Sequence, residues 1–367
     1  MIVERETAGF VLPFAVGILS ATLITAHTAV TQAHCTIPIL ITVSGFSCLI
    51  HPSHKTWNRR LVQAIIYIVA ISCGIWTGIS DKFLSISPPG YHRIITEYAE
   101  ALSRSLKGHI DAIPFRHNET AEIIKALITG ERSGISRETI TAFRSSGAAH
   151  ILALSGLHLG IIYGIITKVL SIMGNSPRIR LIRSILIIAS CGFYTLATGA
   201  GASITRAFLF VTIGEIALLN GRQRDLGDIL YASLLIQLLI SPISISNIGF
   251  QLSYAAMAGI AFIFPRLKTF IPKERCPAVL RWIWNSAAMS ISCQITTAPL
   301  VYLYFKSLPQ YFLITNLIGI PLAGILIPAA LLTILLHMIG ICPEFMITGT
   351  EILVRALTES LKIISQM

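Results

Sequence analysis

The chain has 367 residues, of which 54% are hydrophobic and only 12% charged, and its mean hydropathy is +0.74. Soluble domains carry roughly 25% charged residues, so this composition excludes an ordinary water-soluble enzyme or binding module. The net charge of +11 fits the Lys and Arg that membrane proteins collect in cytoplasmic loops, which outweighs a nucleic-acid reading of the charge alone. The seven cysteines form no Cys-x-x-Cys pair. Cys48, Cys73, Cys191 and Cys293 fall inside apolar runs, where they read as small hydrophobes and not as a disulfide frame or metal site.

Taken in order, apolar runs at Gly9–Ala26, Cys35–Ile50 and Leu61–Ser80 are hydrophobic on every face, as membrane helices are. These residues, 1–80, predict an N-terminal three-helix membrane segment. The first run is too long for a signal-peptide core and is expected to be retained. From 81 to 147 charges of both signs return. Ile94, Ile95, Tyr98, Leu102 and Leu106 recur at helical spacing on an otherwise polar background, which predicts an amphipathic insert lying on the membrane. Pro88, Pro89 and Gly90 punctuate its start, and Asn118 is the expected N-cap of a helix ending near Gly130.

Apolar character resumes over Ala148–Ile172, interrupted in its first half by His150, Ser155, Gly156 and His158. That predicts a broken or re-entrant segment. Further spans are expected at Ile182–Thr198, Ser203–Leu219, Leu226–Ile240, Ile248–Phe264 and Trp282–Tyr304. Pro321 and Pro328 make Tyr311–Ile339 either one kinked span or two short ones. Glu344–Met367, with Glu351, Arg355, Glu359 and Lys362 on one face, predicts an amphipathic surface helix. The fold class is therefore an all-α polytopic membrane protein with about ten membrane-spanning or re-entrant segments, organised as 1–80, 81–147, a core over 148–340 and a terminal helix over 341–367.

Loop charges give an orientation. Lys55, Arg59 and Arg60; Lys168, Arg178, Arg180 and Arg183; Arg222 and Arg224; and Arg266, Lys268, Lys273, Arg275 and Arg281 all fall on one side if each segment crosses once. The alternate loops 27–34, 199–202 and 241–247 hold no Lys or Arg. By the positive-inside rule the N-terminus is cytoplasmic and the 81–147 insert external.

Polar groups inside apolar runs are costly, and function is sought there first. Arg206 and Glu215 share a helix about half a turn out of phase, so they do not pair directly; Arg206 also suits snorkelling near a helix end. Gln251, Gln294, Thr296, Thr297 and Asn316 have interhelical hydrogen bonding as their default role, worth roughly 0.6 kcal/mol each. The densest constellation is His150-Ile-Leu-Ala-Leu-Ser155-Gly-Leu-His158. As a metal site it is weak: the rings stand about 80° apart on a continuous helix with no carboxylate or thiolate to complete a shell. As a serine hydrolase it has Ala153 where rhomboid-type intramembrane proteases have glycine, and no Gly-x-x-x-His partner. A helix break lining a cavity is the reading the residues favour, with no catalytic residue, metal or cofactor assigned.

The run Gly147-Ala-Ala-His-Ile-Leu-Ala-Leu-Ser-Gly-Leu-His158 resembles the signature of ComEC-type competence proteins, the inner-membrane channels for DNA uptake in naturally transformable bacteria. Further matches follow the family's order: Ala126-Leu-Ile-Thr-Gly130, Phe143-Arg144, Ser203-Ile-Thr-Arg206, Asp228, Ser241-Pro242, Gly249-Phe-Gln-Leu-Ser253, Gln294 with Thr297 and Pro299, and Asn316 with Pro321. The resemblance implies passage of single-stranded DNA across the cytoplasmic membrane. It makes His150, Ser155, Gly156, His158, Arg206, Gln251, Gln294 and Asn316 the candidate channel core, with Arg144 and Arg206 as mouth or phosphate contacts. It also implies other competence proteins as partners: a DNA receptor, a cytoplasmic motor or strand-binding protein, and a separate nuclease. Longer members carry an OB-like and a metallo-β-lactamase-like domain. Here only about 45 residues separate Ser80 from Ala126 and no His-x-His-x-Asp-His motif occurs, so a short, non-enzymatic form is expected. The alternatives are an intramembrane serine protease and a small-solute transporter.

Overall fold

A computed structural model describes residues 2–27, 38, 41–42, 59–83, 90–174, 176–221, 223, 225–271 and 277–367, with side chains at 9–22, 38, 41–42, 63–79 and, among these, from 97 onward. Most of the expected Cys35–Ile50 helix, and Lys55, Pro88, Pro89, Arg222, Arg224, Lys273 and Arg275, lie outside the described residues, as do the side chains of Ile94 and Ile95. Among the described residues every regular element is a helix. In order the helices are α1 (Ile2–His27), α2 (Arg59–Phe83), α3 (Gly90–Asp111), α4 (Asn118–Thr129), α5 (Arg137–Ser145), α6 (Ala149–Leu152), α7 (Gly156–Leu170) and α8 (Pro177–Ala197). They continue as α9 (Ala202–Leu219), α10 (Leu226–Ile240), α11 (Ile248–Ala258), α12 (Phe264–Lys268), α13 (Ala278–Phe305), α14 (Phe312–Met338) and α15 (Glu344–Ser365).

This is an all-α membrane protein. Among the described residues five stretches are long and apolar enough to cross a bilayer: Gly156–Met173, Pro177–Ala197, Ala202–Leu219, Ile248–Lys268 and Phe312–Met338. Shorter apolar helices cover Gly9–Thr22, Gln63–Ile79 and Leu226–Ile240. Lipid offers no partner for backbone N–H and C=O groups, so helices are the form in which such segments satisfy themselves.

The chain forms two compact units, 1–89 with 223–261 and 90–222 with 262–367. In the first, α1 and α2 pack through small residues. A Cβ on Gly17 would overlap the Ile71 carbonyl oxygen, one on Gly74 would overlap that of Phe14, and one on Gly78 would meet the Ala21 Cβ at 2.8 Å. Glycine is required there because the two backbones touch, which is how helices associate where the solvent is as apolar as the side chains. Phe14, Ile18 and Ala70 beside this crossing are fully buried.

In the second unit α14 is the element around which the others pack, and α15 runs back along it. Ala323, Leu326, Ile327 and Ala330 of α14 share one core with Val354, Leu357 and Leu361 of α15, Ile123, Ile124 and Leu127 of α4, and Ile187 and Cys191 of α8. Thr333 and Thr350 hydroxyls meet at 2.9 Å across the α14–α15 seam. Pro321 and Pro328 both lie inside α14, which is one continuous helix; that decides between the one-span and two-span readings of the sequence. Ahead of α12, where Pro265 lacks an N–H, one wide π turn at Gly259–Ile263 absorbs the interruption.

Two expectations need correction. The terminal helix was expected to lie on a surface with Glu351 on its polar face. Instead α15 packs along α14, and Glu351 is buried, its carboxylate accepting the His117 N–H at 2.8 Å. Asn118 is the first helical residue and not the N-cap, which falls on His117; the helix does end at Gly130, in the left-handed region at φ 79°.

Replacing Gly17 or Gly74 by alanine forces α1 and α2 apart and is expected to cost about 1–3 kcal/mol, the penalty of overpacking. Gly160→Ala, where a Cβ meets nothing within 4 Å, removes a helix-interior glycine and should be neutral or stabilising by up to about 1 kcal/mol. Thermal unfolding in detergent separates the two outcomes.

Candidate channel core

The apolar segment over 148–172 breaks where its sequence is most polar. Gly147 adopts φ 88° and sits so close to Pro309 that an added Cβ would meet the proline Cβ at 2.8 Å. One turn of helix, α6, follows; then Ala153 (φ −79°, ψ 128°) and Ser155 (φ −133°, ψ 175°) are extended before α7 begins at Gly156. The break is anchored from α14: Thr315 Oγ1 donates to the Ser146 carbonyl at 2.6 Å, and Gly319 leaves room for Ile151, whose Cδ1 would lie 2.8 Å from an added Cβ.

Starting a helix inside apolar surroundings leaves N–H groups that need acceptors. Ser155 and His158 supply a variant of the capping box, in which the third helical residue reaches back to the N-cap backbone. His158 Nδ1 accepts the Ser155 N–H at 3.3 Å and lies 3.2 Å from Ser155 Oγ. Since Nδ1 accepts, the proton of the neutral ring is on Nε2. His158 is fully buried, and Nε2 has no hydrogen-bond partner among the described residues. His150, by contrast, is exposed, and its Nδ1 contacts the Gly147 carbonyl at 3.1 Å.

Arg206 belongs to the same neighbourhood. It is buried on α9 beside Ala207, whose Cβ lies 3.7 Å from where a Cβ on Gly156 would stand. Arg144 is exposed in the last turn of α5, where a cation complements the helix dipole. Asn316 sits between Thr315 and Gly319, the two α14 residues that hold the break, and its Oδ1 is buried with no partner among the described residues. Gln294 is half-buried on α13. Gln251 belongs to the other unit and donates to the Ile245 carbonyl at 2.8 Å, a local helix-start bond.

One arrangement exceeds what the sequence suggested. Glu215, buried on α9, accepts from Tyr163 Oη of α7 at 3.0 Å and from Ser184 Oγ of α8 at 2.6 Å. A carboxyl group within a span was the signal for it; the two hydroxyl donors carry no such signal, because Ser and Tyr are common in helices for many reasons. A hydrogen bond contributes about 0.5–1.5 kcal/mol net, so this triad ties α7, α8 and α9 into one bundle. Among the described residues no cluster of three His, Cys, Asp or Glu side chains has a metal-site arrangement.

The helices define a class, the all-α membrane proteins, here with a polar helix break packed against the central helix. The family is specific: residues 127–367 match the Competence protein family, and the chain belongs to it. It is 27% identical over 232 residues to ComE operon protein 3 of Bacillus subtilis (strain 168), covering 61% of this chain and 27% of that protein. It is 28% identical over 218 residues to competence protein ComA of Neisseria gonorrhoeae, covering 57% of this chain and 30% of the relative. It also resembles the uncharacterized protein YcaI of Escherichia coli (strain K12), at 26% identity over 223 residues, 59% of this chain and 29% of that one. The matched region thus spans less than a third of each relative. No solved structure matches.

If His158 serves as the cap of α7, His158→Gln keeps an acceptor at the third helical position and should stay within about 0.5 kcal/mol of the parent, whereas His158→Ala loses about 1 kcal/mol or more. Thermal unfolding of the two variants in detergent checks the cap; equal losses would remove it.

Proposed function

We propose that the chain is the membrane conduit through which single-stranded DNA passes into the cytoplasm during natural transformation. Membership of the competence family supports a role in DNA uptake, and the observation that carries the finer reading is the break at Ala153–Ser155. There His158 is buried at a helix start whose backbone is not paired by a continuous helix, α9 with the buried Arg206 packs against the same helix, and Asn316 follows the Thr315 that anchors the break. Irregular backbone at membrane depth is tolerated where it is buried in protein or lines a watery path. A strand must cross without being held, so scattered cations and neutral hydrogen-bonding groups suit it better than a continuous basic groove. Within the second unit His150, Ser155, Gly156, His158, Arg206, Gln294 and Asn316 are the proposed core, with Arg144 and Arg206 as mouth or phosphate contacts.

The loop charges support a cytoplasmic-membrane orientation with the N-terminus inside and the 81–147 insert outside. The sequence has no Gly-x4-Gly-Lys-Ser/Thr phosphate loop. Driving force then comes from a partner, a motor or a strand-binding protein that captures the emerging DNA, while a surface receptor and a separate nuclease prepare it.

One observation favours a second reading. Ser155 Oγ lies 3.2 Å from His158 Nδ1, within reach of a nucleophile–base pair. A catalytic imidazole is oriented through its second nitrogen, whereas here Nε2 meets no partner among the described residues and Nδ1 already accepts a backbone N–H. A hydrolase loses all function in Ser155→Ala. A conduit depends more on Gly156, where alanine makes an ordinary contact with Ala207 and leucine fills the space between α7 and α9.

Labelled DNA reaching a nuclease-protected pool in matched strains tests this: Gly156→Ala and Ser155→Ala keep most of the uptake, and Gly156→Leu reduces it at least about tenfold, an effect of roughly 1.4 kcal/mol, at equal protein abundance. Full uptake in Gly156→Leu, or complete loss in Ser155→Ala alone, contradicts the conduit.

A further inference from the structure

Outside the spans, the N-terminus of α4 opens into a polar cavity of about 430 Å³ against α15. Arg116, Arg355 and Lys362 line it with Thr120. The His117 N–H is taken by Glu351, and no side chain caps the helix. The N–H groups of Asn118 and Glu119 therefore face out of the first turn beyond the reach of any helical carbonyl. Thr120, on the same turn, is only 1% exposed, and its hydroxyl has no hydrogen-bond partner among the described residues. That is a buried donor at a helix start, independent of the helix dipole.

The cations are not equally committed. Arg116 pairs with Glu344 at 3.0 Å and Lys362 with Glu138 at 3.2 Å, while the exposed Arg355 has no ion pair among the described residues. Two acids also line the cavity, Glu119 and Glu359. Glu119 is turned away toward α5, where its carboxylate accepts the Ser136 hydroxyl at 2.7 Å and the Ser136 N–H at 3.3 Å. Partial burial pushes the Glu119 carboxyl up, but bonds from Ser136 and Thr139 and the nearby Lys362 outweigh it and hold the group below its ordinary range.

We propose that this cavity is a docking site for a phosphodiester oxyanion of single-stranded DNA, received by the α4 N-terminus, the Thr120 hydroxyl and the Arg355 guanidinium. Helix N-termini and guanidinium groups are the donors that oxyanions select. The acids beside them keep the contact weak and salt-sensitive, as suits a strand that moves on. This deepens the conduit reading, on which its biological meaning rests, by giving the strand a contact outside the bilayer.

Fluorescence anisotropy of a labelled oligothymidine with the purified full chain in uncharged detergent tests the site without transport. The strand should bind, inorganic phosphate should compete at millimolar concentration, and Arg355→Ala and Thr120→Val should each weaken binding at least about threefold, and the double variant about tenfold. Thr120→Ser, which keeps the hydroxyl, should bind as the parent does, and unchanged thermal unfolding controls for folding. Equal affinity in parent and double variant overturns the proposal, as does dependence on Arg355 seen only for binding to phosphatidylglycerol nanodiscs. Uptake plays no part in this readout, so its loss in Gly156→Leu and the anisotropy result fail or succeed separately.

Discussion

Everything in the second unit depends on how a largely apolar core satisfies a helix that stops and restarts. Between Leu152 and Gly156 the backbone leaves helical geometry, and in an apolar medium each unsatisfied N–H or C=O costs several kcal/mol. The solution is local and tertiary together. His158 reaches back to the Ser155 N–H, Thr315 donates to the Ser146 carbonyl, and Gly319 gives way to Ile151. Because two of those three supports come from α14, the break and the central helix specify each other. α15 and the α4–α5 pair then complete the core around α14.

Each polar side chain kept in this apolar chain either stabilises a junction or is a candidate for handling a polar solute. Glu215 is of the first kind: its two oxygens receive hydroxyls from two other helices. His158 does both. One nitrogen closes the helix start, and the other is a buried donor without an acceptor among the described residues. A donor left unmatched in a folded core costs about 1–3 kcal/mol, a cost that a passing acceptor such as a phosphate oxygen or water offsets. Arg206 is buried on α9, one residue before the Ala207 that stands against Gly156.

Much of this was legible from the residues. The apolar runs gave the helices, and His150, Ser155, Gly156 and His158 marked the break, because polar residues and glycine at that density are expensive within a plain span. The Gly130 terminus followed from the left-handed conformation that glycine alone adopts without strain. What the sequence concealed were partners. The amphipathic pattern of α15 states that one face is buried but not against what; the pattern alone suits a membrane surface, and α14 occupies that face. Glu351 looks like a solvated charge until His117 is brought to it by a distant loop. Side-chain preference points to Asn118 as N-cap, yet the His117 N–H is held by Glu351, and the helix begins one residue earlier than such a cap requires. The Glu215 triad and the α1–α2 glycine crossing are likewise tertiary facts, visible beforehand only as an odd acid and a scatter of glycines.

The central claim is that the broken segment borders the path of the strand. The most direct measurement is photocrosslinking during uptake, with a photoreactive residue at Ser155 or Leu157 and, as control, at Ile172, which is 87% exposed at the far end of the same span. The account predicts a covalent adduct between labelled incoming DNA and the chain at position 155 or 157, dependent on transformable cells and absent at 172. Normal uptake with no adduct at either position, or equal adducts at all three, would contradict it.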